Sequence, residues 1–220
     1  ISSIPKPNVF KTREQWLENR GQSLGGSEMA SILGLNPYQS PYDLWLLKTG
    51  REQRKEENIA MILGRFMEAG ISDTFEYLSN HRVIKASAGD ILYQHPDYDF
   101  LVASPDRRVF LNGYQKHEDR AIMEIKRTRI EIDPDELPFP YFIQPTYYAG
   151  MLGYSKIIVC WHQTGFNENV YWTEKEFNPE IYEIIIDEAV KFWNEYVVKD
   201  IPPPLSNARD INKMYPYSRE

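Results

Sequence analysis

Two carboxylates and an ammonium occupy positions where a core would take valine. Asp106 follows Pro105 after the apolar run FLVA (100–103), and Glu124 and Lys126 break up AIMEI (121–125). In a strand, residues two apart share a face, so Glu124 and Lys126 point the same way while Ile125 faces the core. A hairpin turning near 112–118 folds Asp106 back beside Glu124. Two like charges a few ångströms apart are costly unless a cation joins them. Oxygen donors without histidine or cysteine favour Mg2+ or Mn2+. Such an ion polarises a phosphoryl oxygen and acidifies a water, and a neighbouring lysine orients that water and offsets charge on the phosphate. A bare Glu-x-Lys is ordinarily a salt-bridge patch on an edge strand, so the rest of the chain has to weigh in.

The elements that would position these groups are legible. Thr12-Arg-Glu-Gln15 is a capping-box start and predicts a helix over 13–21. GGSEMASILG predicts a second helix, entered through Gly25-Gly26 and ended by Gly34. In SPYDLWLLKTG, Ser40 is the N-cap, Pro41 the first helical residue and Gly50 the stop. Ile59, Ile62, Leu63, Phe66, Phe75 and Leu78 keep a helical period over 57–79. DILYQ, FLVAS, RRVFL and AIMEIKR, with turn residues between them, read as strands of a meander. YFIQPTYYAGMLG predicts a helix near 140–152, with Pro145 in its first turn or kinking it. KIIVCWHQ and NVYWTEKEF form a further strand pair. PEIYEIIIDEAVKFWNEYVV is an amphipathic helix expected to cover the sheet. Residues 1–200 then form a single domain, and the proline-rich 201–220 an extended C-terminal tail. The order defines an α/β (α+β) fold around a mixed central sheet.

Composition narrows the classes. No apolar window is long enough to span a membrane, and ISSIPKPNVFKTREQ lacks the layout of a signal peptide. The one cysteine, Cys160, excludes an internal disulfide and a thiolate-rich metal site. It reads as a small buried hydrophobe, in a reducing, intracellular setting. His81, His95, His117 and His162 share no spacing, so no histidine metal site is expected. The net charge of −7 argues against a polyanionic partner only until the charges are placed. Bases cluster at Arg51, Arg54 and Lys55, at Arg107 and Arg108, and at Lys126, Arg127 and Arg129. Acids dominate 168–195, which is expected on an outer surface.

Pro105-Asp106 with Glu124-Ile-Lys126 matches the PD-(D/E)XK nuclease signature. WLENRGQSLGGSEMASILGLNPYQSPYDLWLLKTG (16–50) resembles the opening of phage exonucleases of the lambda-exonuclease and YqaJ-like viral recombinase type. GRFMEAGI (64–71) resembles their helix bearing an extra acid, and YFIQPTYYAGMLG (141–153) their glutamine helix. The blocks run in order from about 13 to 160. The resemblance implies a restriction-endonuclease-like core in which Glu68, Asp106 and Glu124 coordinate metal, with the backbone carbonyl of Ile125 as a further ligand. It makes Lys126 the catalytic lysine and Gln144 a contact to that lysine, the water or the substrate. It makes residues 12–50 the part that grips a 5′-phosphate, with Arg20 and Ser27 as contacts and Trp16 in the wall. It further implies Mg2+ as cofactor (Mn2+ substituting), double-stranded DNA ends digested 5′ to 3′, and a 3′ single strand left for recombination. A homo-oligomer, commonly a trimeric ring, a single-strand annealing protein as partner, and the cytoplasm of a phage-bearing host complete the picture. The step of eighteen residues from Asp106 to Glu124 predicts a longer hairpin over 107–121, and Pro145 directly after Gln144 bears on where that helix starts.

The same residues make sense one at a time. Trp16 and Arg20 are four apart, on one helical face. Ser27 follows two glycines at a helix start, where free N–H groups and the helix dipole attract phosphate. Met61, Gly64, Arg65, Glu68 and Ser72 share one side of their helix, and the plain alternative for Glu68 is a pair with Arg65. Glu28 reads as a first-turn acid favoured by the dipole. Two other functions fit the same fold: a structure-selective or site-specific endonuclease, and a non-catalytic DNA-end-binding subunit. Dependence on a 5′-phosphate separates the first, and the intact set of Glu68, Asp106, Glu124 and Lys126 argues against the second.

Overall fold

The computed structural model describes residues 5, 7–10, 12–54, 56–84, 90–113, 119–166 and 168–216. Lys55, His117 and most of the expected 112–118 turn lie outside them. In chain order the elements are β1 (Pro7–Phe10), α1 (Arg13–Gly21), β2 (Leu24–Gly25), α2 (Gly26–Ile32), α3 (Pro41–Lys48) and α4 (Ile59–Leu78). Then come β3 (Arg82–Ile84), β4 (Asp90–Gln94), β5 (Leu101–Ala103), β6 (Arg107–Phe110), β7 (Arg120–Thr128) and α5 (Pro140–Leu152). The chain continues through β8 (Lys156–Gln163), β9 (Asn169–Glu176), α6 (Pro179–Lys191) and α7 (Ala208–Met214). Local chemistry sets the helix starts. Thr12 Oγ1 accepts the Gln15 N–H, and Ser40 and Asp43 cap each other's backbone at 3.0 Å in both directions.

The sheet is not the expected meander. The larger sheet runs β3-β6-β7-β8-β9, and a smaller one runs β1-β4-β5-β2. DILYQ and FLVAS belong to the smaller sheet, RRVFL and AIMEIKR to the larger. The chain changes sheets at Ser104–Asp106, because Pro105 has no N–H to extend a ladder. The 107–121 hairpin does form, with Arg107 opposite Met123. β7 and β8 pair in parallel along their length, from Ala121 opposite Lys156 to Thr128 opposite Gln163. Parallel neighbours need a crossover, and α5 is that crossover. It therefore lies across β7 and carries Gln144 to it.

β7 is packed on both faces. Ile122 joins the core formed with α2, α5 and α6, whereas Met123 and Ile125 join Ile71 and Phe75 of α4. A carboxylate and an ammonium in such a strand need partners. Cys160 is fully buried in the α4-side core, as expected. α6 packs on α5 and α2 instead of directly on the sheet, because α5 already covers that face.

The tail is also not extended throughout. Ala208–Met214 is helical, capped by Asn207. Asp210 is fully buried, and its carboxylate accepts from Ser40 Oγ at 2.7 Å and from Ser206 N at 2.9 Å. These bonds tie the C-terminal segment to the start of α3.

Candidate active site

The hydrogen bonds of β7 decide where the charged groups sit. β6 begins at Arg107, and just before it Asp106 Oδ2 accepts the Ile125 N–H at 2.8 Å. Glu124 is 2 % exposed. Its Oε1 accepts from Lys126 Nζ at 2.5 Å, and the same ammonium reaches Gln144 Oε1 at 3.3 Å. Gln144 Nε2 donates to Tyr148 Oη at 3.4 Å. Pro145 does not disturb this: it lies inside α5, and Gln144 is turned toward Lys126. Glu68 approaches from α4 and lines one cavity with Asp106 and Arg107. Its predicted alternative partner, Arg65, instead bonds Glu57 at 3.0 Å.

The three carboxyls feel one another. Burial first, then the Asp106 charge, lifts Glu124 to about 8 and Glu68 to about 7. Burial lifts Asp106 as well. Burial alone would lower Lys126, but Glu124 and Asp106 carry it above the ordinary lysine range. Among the described residues, no three Asp, Glu, His or Cys side chains are drawn tightly enough together to cage an ion as they stand. The donor set nevertheless suits a divalent cation. Glu124 Oε2 is buried with no hydrogen-bond partner among the described residues, and burial lifts all three carboxyls above their ordinary range. Hard oxygen donors of this kind suit Mg2+ or Mn2+. Glu68, Asp106, Glu124 and the Ile125 carbonyl are the groups that would hold it.

The same cavity, of about 340 Å3, is lined on its other side by Trp16, Arg20 and Ser27. Arg20 is buried, and its guanidinium bonds Ser27 Oγ at 3.0 Å and Glu28 Oε2 at 2.6 Å. Glu28 is the first-turn acid of α2 that the sequence predicts, but its larger role is long-range. It is a buried counter-ion that also takes Lys48 Nζ at 2.9 Å and the Gly25 N–H at 2.9 Å. Burial works to raise its pKa, but Arg20 and Lys48 outweigh it and hold the carboxyl down at about 2. Lys48 was also missed; its position in the last turn of α3 carries no signal of this role. Glu-after-Ser at a helix start was the available hint, and only its local half, the cap, could be read.

Two glycines join the halves. A Cβ on Gly25 would lie 2.6 Å from Arg20 Cζ, and one on Gly26 would lie 2.6 Å from Tyr148 Cε1 and 2.9 Å from Gln144 Cγ. Leu24 pairs in parallel with Leu101, which docks this loop next to the strand leading to Asp106.

This architecture is that of the phage-type exonucleases. It matches an alkaline exonuclease (LHK-Exo) from Laribacter hongkongensis with a TM-score of 0.65 at 20% identity, over 86% of this chain and 94% of that one. It matches a phage related exonuclease from Haemophilus somnus 129PT with a TM-score of 0.54 at 10% identity, over 81% and 96%. At such identities the likeness is one of fold. The profile of the YqaJ-like viral recombinase domain covers residues 15–155, and the chain belongs to that family. It is 31% identical over 212 residues to the uncharacterized protein YqaJ of Bacillus subtilis (strain 168), covering 91% of this chain but spanning 61% of that protein's length. No helix among the described residues is long and apolar enough to cross a membrane.

Proposed function

We propose that the protein is a metal-dependent exonuclease that degrades linear double-stranded DNA from a 5′-phosphorylated end. One observation carries the reading. Glu68 and Asp106 line the same cavity as Arg20 and Ser27, so phosphodiester chemistry and recognition of a terminal phosphate share one small space. The names of the structural neighbours support it.

Arg20 and Ser27 bind the terminal phosphate by charge-assisted and hydroxyl hydrogen bonds, and the start of α2 adds backbone N–H groups. Glu28 and Lys48 hold the guanidinium in place. Glu68, Asp106, Glu124 and the Ile125 carbonyl would hold a divalent ion, Mg2+ with Mn2+ as substitute, which when bound would supply positive charge to the phosphoryl oxygen and acidify the attacking water. Lys126 keeps its proton at Nζ, offsets charge growing on the phosphate, and is fixed by Glu124 and Gln144. Attack by water forms a new P–O bond and breaks the bond to the 3′-oxygen, which leaves with a proton. The shortened strand then begins with a 5′-phosphate, the group the Arg20 pocket binds, so each cut prepares the next. The 3′-ended strand left behind suits recombination. By family resemblance the active form is a homo-oligomer, a trimeric ring, working in the cytoplasm with a single-strand annealing protein. The catalytic unit spans about residues 1–200.

The test is incubation with Mg2+ of linear duplex carrying a 5′-phosphate, linear duplex carrying a 5′-hydroxyl, and covalently closed duplex. The expected order is fast, slow and untouched, with all activity lost in Lys126→Ala. Cutting of the closed circle would make the protein an endonuclease. End binding without hydrolysis would make it a non-catalytic subunit.

A further inference from the structure

The acidic cluster has a second flank. A groove of about 760 Å3 lies between α4 and the C-terminal end of β7. Arg65 and Glu68 line both this groove and the Arg20 cavity, so the two meet at the cluster. The groove's own lining adds Met61, Lys126, Arg127 and Arg129.

Two of its cations are paired, Arg65 with Glu57 and Lys126 with Glu124, as most of the chain's are. Arg51 meets Asp200, Lys156 meets Glu176, Lys199 meets Glu195, and Lys213 meets Asp43 and Glu52. Arg127 and Arg129 form no ion pair among the described residues. Arg127 Nε is buried and has no hydrogen-bond partner there. In a chain with 32 acids and 25 bases, two guanidinium groups without a carboxylate, at the mouth of a groove, are matched to an anion from outside.

Polarity says which anion. The 5′ end sits at Arg20 and Ser27, and the bond to be cut sits at Asp106 and Glu124. A strand running 5′ to 3′ past those points leaves the first cavity beside Arg65 and Glu68, which is where the groove begins. We infer that Arg127 and Arg129 bind the phosphodiester backbone of the scissile strand on the 3′ side of the bond that is cut. This rests on the exonuclease reading of the neighbouring cavity.

The experiment is anisotropy of a phosphorothioate-linked, nuclease-resistant 12-mer in Mg2+, as a 5′-phosphate and as a 5′-hydroxyl, over a series of KCl concentrations. Arg127→Gln/Arg129→Gln is expected to bind at least about 10-fold more weakly, with a log K against log salt slope shallower by about 1.4, two single-strand phosphate contacts. Its preference for the 5′-phosphate stays at the wild-type ratio, and Arg127→Lys restores affinity. Wild-type affinity and slope in the double variant overturn the inference. Should the double variant melt early, the exposed Arg129→Gln and Arg129→Glu carry the test. A slope shallower by about 0.7 supports it, and an unchanged slope overturns it. Loss of 5′-phosphate preference in the wild-type protein would instead strike the Arg20 reading, and the slope comparison at the groove would still be scored by itself.

Discussion

The Ile125 N–H, between Glu124 and Lys126, donates to Asp106 Oδ2 at 2.8 Å. A side chain thus continues the β6–β7 ladder where proline ended it, and the bond fixes an acid beside two others. The charge of Asp106 is also what raises Glu68 and Glu124, after burial. Asp106→Asn keeps the shape and an acceptor for the Ile125 N–H but removes that charge. Hydrolysis is expected to fall at least about 100-fold, the loss typical of removing one preorganised electrostatic contact. The melting temperature is expected to stay level or rise by about 2–4 °C, as about 1 kcal/mol of repulsion is relieved. A nuclease assay beside a thermal melt checks both, and a large drop in stability would mean that the aspartate is structural.

The raised carboxyls also set how metal and pH act together. Glu124 titrates near 8 and Glu68 near 7 in the fold, above their ordinary 4.5. Between those values the unfolded chain binds fewer protons than the folded one, so metal-free stability falls as pH rises from about 4.5 to about 8. A divalent ion requires the ionised carboxylates and reverses that loss. The rise in melting temperature on adding Mg2+ over a chelator control is therefore expected to be small at about pH 6 and larger at about pH 8.5. A shift of the same size at both values would count against these ligands.

Most of this site could be read before the fold because its chemistry is local. Glu124 and Lys126 share a face by strand geometry alone, and Thr12, Ser40 and Pro41 mark helix starts through their own side chains and ring. What could not be read is long-range. Nothing near Lys48 says that its ammonium meets Glu28, twenty positions away, since that pairing depends on how α2 and α3 cross. Nothing in DILYQ and FLVAS says that they leave the main sheet, because pairing partners are a tertiary choice. Two-residue β2 is too short to have a period. The tail misled for a related reason: its proline-rich composition gives no sign that Asp210 finds its partner, Ser40, 170 residues away.

The glycines at 25 and 26 separate the two halves of the site by a single methyl. Gly25 has φ −127°, so alanine fits its backbone and the effect is purely steric. Gly25→Ala crowds the Arg20 guanidinium and is expected to erase the preference for a 5′-phosphate. Gly26→Ala crowds the buried Tyr148 ring and the Gln144 stem. It is expected to cost about 1–3 kcal/mol and to slow cleavage of phosphorylated and hydroxyl ends alike. Rates on the two ends, measured for both variants, distinguish the effects, and identical behaviour of the variants would refute the division.

Glu28 offers the sharpest test of the buried half. Glu28→Gln leaves Arg20 and Lys48 as neighbouring buried cations with no carboxylate between them. Removing one partner of such a set costs about 3–5 kcal/mol, about 6–20 °C for a chain of this size. The pKa gives a consistent magnitude, since a drop from 4.5 to about 2 corresponds to about 3 kcal/mol. The sign follows from which state holds the proton. The folded value lies below the unfolded one, so the stabilisation is complete above about 4.5 and is lost as pH falls toward about 2. The gap in melting temperature between wild type and Glu28→Gln is therefore expected to be widest near neutral pH and roughly halved at about pH 3. A gap that stayed constant down to that pH would show that shape, not charge, makes Glu28 necessary. If the variant still discriminates a 5′-phosphate as the wild type does, Arg20 does not depend on Glu28 for its aim.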